Sequence, residues 1–192
     1  MMLFAWGKEY VPIENLSYGV YADSLMLDVG FEHGDKIMGV EGQEITVLSD
    51  VNSAVLFGGV RVIDIESNGT PRSIALPDDI EQEILMSGKQ TLFSQLFPAE
   101  VDSVTEGSRA EEAGLLKGDR FVSVNGLSSS YTPELLALLG QSKGQDVEVI
   151  VSRGTEEVSL SVSVSEEGTL GFFYKGPAQF FDSVTQEYGF FE

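Results

Sequence analysis

The chain contains no cysteine, so it holds neither a disulfide framework nor a thiolate metal site, and its redox compartment is left open. Basic residues are scarce. Eleven Lys and Arg stand against 31 Asp and Glu, a formal net charge of -20. Such a surface repels a polyphosphate backbone and anionic lipid alike, so no nucleic-acid partner is expected. Histidine is nearly absent, the one example being His33 in "FEHGD". With Glu32 it offers fewer than the three or four ligands zinc takes, and it lacks the strand-turn-helix setting of a nucleophilic triad. No catalytic residue, metal site or cofactor is therefore expected within this stretch, which reads as non-enzymatic. Apolar runs of the roughly 18 to 20 residues that span a bilayer are missing too, as is a basic-then-apolar leader. The sequence reads as a soluble piece, whole or excised.

What is present is enough to fold. Hydrophobic residues make up 42% of 192 positions, with twelve Phe, six Tyr and one Trp, which allows one large domain or two small ones. The opening "MMLFAWGKEY" gathers Leu3, Phe4, Trp6 and Tyr10. Alternation favours an edge strand that buries them, and a position beside a membrane interface is the other reading.

The chain repeats itself. "LDVGFEHGDKIMGVEG" at 27–42 is a paler copy of "EEAGLLKGDRFVSVNG" at 111–126, and a constant offset of 84 superposes Ser24 on Ser108, Gly30 on Gly114, Gly34 on Gly118, Asp35 on Asp119, Val40 on Val124 and Gly42 on Gly126. That period is too long for a solenoid and suits a duplicated small domain. Each copy has strand-like alternation upstream (15–22 and 99–104), a short helical turn, and an amphipathic helix downstream (49–57 and 132–139). A hairpin follows in each, over 60–76 with its turn at Asn68-Gly69 and over 146–164 with its turn at Arg153-Gly154. Between the copies, 77–88 reads as a helix with acidic residues in its first turn and Gly88 as its stop. The boundary is expected near 88.

In the repeated string, Gly34 and Gly118 suit a tight connection, Asp35 and Asp119 suit side-chain bonds back to turn amides, and Asn125-Gly126 suits a sharp exit turn. These residues read as scaffold, not catalysis. The pattern carried by Ala113, Gly114, Leu115, Gly118, Asp119, Phe121, Val124, Asn125 and Gly126 resembles the PDZ domain in its bacterial, circularly permuted form. Gly30, Gly34, Asp35, Ile37, Val40 and Gly42 make the weaker first match, where Val29 and Glu41 depart from it and suggest a unit less able to bind. The resemblance implies an α+β, mainly β chain of two permuted PDZ-like domains, each a small, partly open barrel or sandwich with two short helices. The expected spans are 1–88, 89–174, and an exit segment over 175–192.

Two such units between "LFAWGKEY" and "TLGFFYKGPAQFFDSVTQEYGFFE" look like the extracytoplasmic region of RseP-like site-2 proteases, which cut within membranes. Phe180, Phe181, Val184 and Tyr188 lie at helical spacing, as an approach to a membrane would. This resemblance implies a non-catalytic segment at the periplasmic face of a bacterial inner membrane, with zinc in the parent's catalytic core and not here. It also implies partners: that core, and substrate ectodomains or their trimmed C-terminal ends, admitted by size.

PDZ-like folds take extended peptide as an added strand beside a groove helix. In the second copy the expected parts are the edge 90–96 with Thr91, Leu92 and Phe93, the loop Ser87-Gly88-Lys89, whose cation suits a terminal carboxylate, and the helix 133–139 with Leu135, Leu136 and Leu139. In the first copy they are 3–10, with Phe4 and Trp6, and 51–57, with Val55. "TLFSQLFPA" (91–99) and "TLGFFYKGPA" (169–178) also read as related strands, each closing one module. A peptide-binding adaptor pair of a secretion system or of an HtrA-type soluble protease, and a structural β-rich module without a ligand, are the competing readings.

Overall fold

The computed structural model describes residues 7–187. The chain forms two compact units, one of residues 7–96 with 178–187 and the other running from Phe97 to Pro177. In the first unit the order is β1 (Gly7–Tyr10), a 3-10 turn at Ile13–Asn15, β2 (Val20–Ala22), α1 (Ser24–Val29), β3 (Lys36–Val40), α2 (Leu48–Phe57), β4 (Val62–Ser67), β5 (Thr70–Ala75), α3 (Ile80–Ser87) and β6 (Phe93–Gln95). The second unit repeats the plan with β7 (Val101–Val104), α4 (Arg109–Glu112), β8 (Arg120–Val124), β9 (Leu127–Ser128), α5 (Thr132–Gln141), β10 (Asp146–Arg153), β11 (Glu156–Ser163) and β12 (Phe172–Tyr174). The chain then returns to the first unit, where β13 (Val184–Glu187) pairs antiparallel with β1.

Local chemistry accounts for the elements. Asp23 caps α1 by accepting from Met26 N at 3.0 Å, and Ser108 caps α4 by accepting from Glu111 N at 3.3 Å, each satisfying a first-turn donor that the helix leaves over. Helices expected over 49–57, 132–139 and 77–88 form as α2, α5 and α3. The hairpins close where Asn68-Gly69 and Gly154 stand, pairing Ser67 with Thr70 and Arg153 with Glu156. Along these strands apolar side chains alternate inward, so that Ile63, Ile65, Val147, Val149 and Val151 are buried. Each unit has its own core. In the first, Phe31 meets Phe93 edge-on at 5.0 Å; in the second, Phe121 stacks on Phe172 at 5.2 Å. Each buried ring of this kind contributes about 1.5–3 kcal/mol through removal from water.

In both units a strand that follows the hairpin returns to the unit's early strand. β6 pairs with β2, and β12 pairs with β7. Segment 90–96, expected as the second unit's edge, therefore belongs to the first: Asp23 N donates to Leu92 O and Leu96 N to Gly19 O. The chain accordingly divides between Leu96 and Phe97 instead of near 88, and the second unit extends to Pro177. Within the stretches 91–99 and 169–178, β6 and β12 hold the closing roles read from their similarity, while 97–99 already belong to the second unit.

Two further expectations change. The N-terminal strand lies on β13 and does not flank the first unit's groove helix as an edge, while Phe4 and Trp6 lie outside the described residues. The exit segment forms a 3-10 turn at Pro177–Gln179 and then β13 in place of a helix. Phe180 and Phe181 pack edge-on against Tyr18 at 6.5 and 6.1 Å, which draws this stretch onto the first unit, and Tyr188 lies outside the described residues. The strands among the described residues make small open sheets, with order β3-β4-β5 in the first unit and β11-β10-β8-β9 in the second, and no closed barrel.

Candidate functional site

The paired turn aspartates are the most deeply buried acids of the repeat, Asp35 at 2% and Asp119 at 1% exposure. Asp35 Oδ2 accepts from Glu32 N and Asp119 Oδ2 from Leu116 N, both at 2.9 Å. Each also meets an arginine from the hairpin. Arg153 donates to both carboxylate oxygens of Asp119 and to Gly114 O at 2.8 Å. Arg72 Nη2 lies 3.5 Å from Asp35 Oδ2 and donates to Gly30 O at 3.1 Å. These bonds from backbone and arginine donors tie each carboxylate into its own turn. The arginines were missed in the sequence because Arg153-Gly154 reads simply as a hairpin turn, and Arg72 comes from the hairpin's other arm.

His33 is exposed and stacks on Tyr21 at 4.2 Å. Among the described residues no three His, Asp or Glu side chains gather as a metal site would require.

The first unit has a groove between α2 and α3, a cavity of about 650 Å³ whose floor includes Asn52, Lys89 and Thr91. Lys89 is engaged: its Nζ lies 2.6 Å from Asp23 Oδ2 and 2.6 Å from Ser24 Oγ, at the start of α1. Ser87 Oγ donates to Ile84 O and accepts from Lys89 N, finishing α3, and Gly88 takes the left-handed cap with φ 69°. Leu92, Phe93 and Val55 are core residues at 0%, 1% and 0% exposure and present no side chain to a ligand. The residue that reaches the strand is Asn52, which sequence reading did not single out. Its Oδ1 accepts from Leu92 N at 3.0 Å and Phe93 N at 2.9 Å, and its Nδ2 donates to Phe93 O at 2.9 Å.

In the second unit the corresponding elements are α5 and β12. Its edge is β12, fed by Gly168-Thr169-Leu170-Gly171, instead of 90–96. The loop lies against the end of α5: a Cβ on Gly168 would stand 3.3 Å from Gly140 Cα and 3.5 Å from Leu139 O. Thr105 N donates to Gly171 O and Lys175 N to Glu100 O, so the alternation of an antiparallel ladder turns the N–H and C=O of Phe172 and Tyr174 away from β7. Leu135 and Leu139 are buried at 0% and 1%, whereas Leu136 is 45% and Phe173 67% exposed. Of the helix residues read as groove-lining, only Leu136 faces outward; the other two hold the core.

The far end of β12 is pinned by charge. Glu100, 6% exposed, takes Lys175 Nζ on Oε1 and Arg120 Nε on Oε2 at 2.9 Å. Burial on its own raises the Glu100 carboxyl, but the hydrogen bonds from Lys175 and Arg120 outweigh it and hold the group below its ordinary value.

Small open sheets, a closing strand paired with an early strand in each unit (β6 with β2, β12 with β7), a helix at the same place in each repeat and a glycine-bearing loop ahead of β12 define a PDZ-like fold, a mixed, mainly β architecture with five helices among the described residues. Residues 100–153, within the second unit, match the PDZ domain family, a non-catalytic binding module of the peptide-recognising type. Two solved structures are similar to parts of the chain. The PDZ domain of an SdrC-like protein from Listeria monocytogenes is 19% identical with a TM-score of 0.36, covering 40% of this chain and 86% of its own. An HtrA-type protease solved with a decapeptide is 17% identical with a TM-score of 0.30; the match covers 63% of this chain and 44% of the protease, so this chain spans less than half its length.

Proposed function

We propose that this chain is a non-catalytic peptide-recognition segment whose second unit takes an extended polypeptide as an added strand on β12. The observation that carries this reading is the outer edge of β12. Among the described residues β12 has one strand neighbour, β7, and Phe172 and Tyr174 turn their backbone groups away from it, while α5 exposes Leu136. Main-chain bonds there supply affinity, and the apolar surface of α5 selects the side chains. A pool of decapeptides with apolar last residues, titrated into the ¹⁵N-labelled chain, should shift the amides of 172–174. Leu136→Glu should weaken that response about tenfold, the loss of one apolar contact. No shift at millimolar peptide would refute the reading.

The finer proposal is that the two units form the extracytoplasmic region of a membrane-embedded, RseP-like zinc protease, admitting substrates by size and holding their trimmed ends. Its support is the resemblance of both repeats and of the flanking aromatic segments. The zinc and the catalytic residues belong to the rest of that protein under this reading. Removing 97–177 from the parent should let untrimmed substrate be cut; unchanged selectivity would sink the gating role.

A further inference from the structure

Asn52 bonds the first unit's closing strand in the manner of a neighbouring strand. Asp23 N bonding to Leu92 O and Leu96 N to Gly19 O leave the N–H and C=O of Phe93 on the side of β6 away from β2. That edge is where an added strand would pair. The Asn52 carboxamide takes both groups, its oxygen on Phe93 N and its nitrogen on Phe93 O, at 2.9 Å each, as one peptide unit of an incoming chain would. The same oxygen also takes Leu92 N at 3.0 Å, so two adjacent backbone donors converge on one acceptor. A terminal carboxylate oxygen would occupy that position in a peptide bound at this end of the groove.

The second unit lacks this device. Leu48, Val51 and Val55 are buried along α2 as Thr132, Leu135 and Leu139 are along α5, which sets position 52 over position 136. The residue there is Leu136, whose side chain carries no hydrogen-bonding atom and stands 45% exposed. We infer that this single helix position decides which groove is open: Asn52 occupies the first unit's peptide-end site from within, and Leu136 leaves the second unit's site to a peptide with a free C-terminal carboxylate. The inference rests on the strand-addition reading above and adds to it the residue that selects between the two units. An incoming peptide at the first unit must displace three hydrogen bonds made by a side chain already held in place, and it regains no more than these from the same backbone groups.

The test uses amide NMR of the described chain with the same decapeptide pool, supplied as free acids and as C-terminal amides. In the wild type, the free acids should shift 172–174 and leave Leu92 and Phe93 unmoved. Asn52→Ala should raise hydrogen exchange at Leu92 and Phe93 about tenfold without peptide, the loss expected for one hydrogen bond, and should allow free acids, but not amides, to shift both. The reciprocal Leu136→Asn lies at an exposed position, so its effect does not depend on the first unit's tolerating Asn52→Ala; it should weaken the response at 172–174 at least tenfold. Shifts at Leu92 and Phe93 in the wild type, unchanged exchange in Asn52→Ala, or full binding by Leu136→Asn would each overturn the inference. So would silence at Leu92 and Phe93 in Asn52→Ala while 172–174 respond. Silence at 172–174 in the wild type would instead overturn the reading beneath it.

Discussion

Arg153 grips Asp119 with a two-pronged hydrogen bond, Nε to Oδ1 at 2.8 Å and Nη2 to Oδ2 at 2.7 Å. The carboxylate is buried while the arginine is about a third exposed, so the geometry secures the Gly114–Asp119 turn to the tip of the β10–β11 hairpin. A lysine cannot reproduce the planar fork or reach Gly114 O at the same time. Arg153→Lys should therefore cost about 2 kcal/mol, and Asp119→Ala somewhat more, because it leaves Leu116 N without its acceptor. Denaturant midpoints of the two single variants and the double variant form a cycle. A coupling under about 0.5 kcal/mol would show that the fork contributes little.

Asn125 and Glu41 solve one problem with different side chains. Both sit at positive φ, 49° and 53°. Asn125 N donates to Glu148 O while its Oδ1 accepts from Glu148 N; Glu41 N donates to Val62 O while its Oε1 accepts from Val62 N and Arg61 N. Asn125→Ala should lose about 1–2 kcal/mol, through the missing acceptor and the strained backbone together. Glu41→Asn keeps an acceptor and suits the left-handed conformation better, so its thermal midpoint should stay level or rise. A fall of several degrees would show that the longer reach to Arg61 N outweighs backbone relief.

Much of this architecture was legible because its signals are local. Asn68-Gly69, Pro133, Gly88 and the alternation along 146–164 each constrain their own neighbours, and the hairpins and helices stand where these residues put them. Partner choice was less legible. Whether 90–96 pairs backward with β2 or forward into the second unit depends on a contact more than 70 residues away in sequence, and both possibilities satisfy the same alternation. The same holds at the groove: Leu92 and Phe93 look like ligand contacts on a strand, yet once β6 is placed their side chains enter the core. Asn52 gave no sign within the helix pattern, since a polar residue beside Val51 reads as a solvated face until the strand opposite is known. The aromatic spacing of 180–188 suggested a helix because periodicity alone cannot see Tyr18, against which Phe180 and Phe181 turn.

Gly171 is the tightest point of the candidate peptide loop. Its φ is +89°, and a Cβ there would stand 2.4 Å from Ser108 Cβ. Gly171→Ala thus combines left-handed strain with a collision against the residue that caps α4, and should destabilise the second unit by about 2–4 kcal/mol. Ser108→Gly in the same chain removes the collision but not the strain, and should restore about half of the loss. If the double variant is as unstable as Gly171→Ala alone, the steric account fails. Full recovery would mean that the backbone conformation costs nothing.

Glu100 makes the second unit's stability depend on acid. Lys175 closes from the end of β12 and Arg120 from β8, and between them they keep the buried carboxyl ionised to lower pH than an unfolded chain would, despite the opposing effect of burial. A carboxyl whose pKa is depressed by folding stabilises fully above its unfolded value, about 4.3. That contribution fades as pH falls from about 5 through the unfolded value and is gone below the folded one. Unfolding free energy should therefore drop over this interval in the wild type, and Glu100→Gln should flatten that part of the profile. At pH 7 the same variant should be about 1–2 kcal/mol less stable, a figure reduced because Arg120 is largely exposed. The decisive measurement is the difference between the two chains across pH 3 to 7: a constant gap would mean that Glu100 titrates alike in both states, and that β12 is held by packing of Phe172 and Tyr174 and not by this carboxylate.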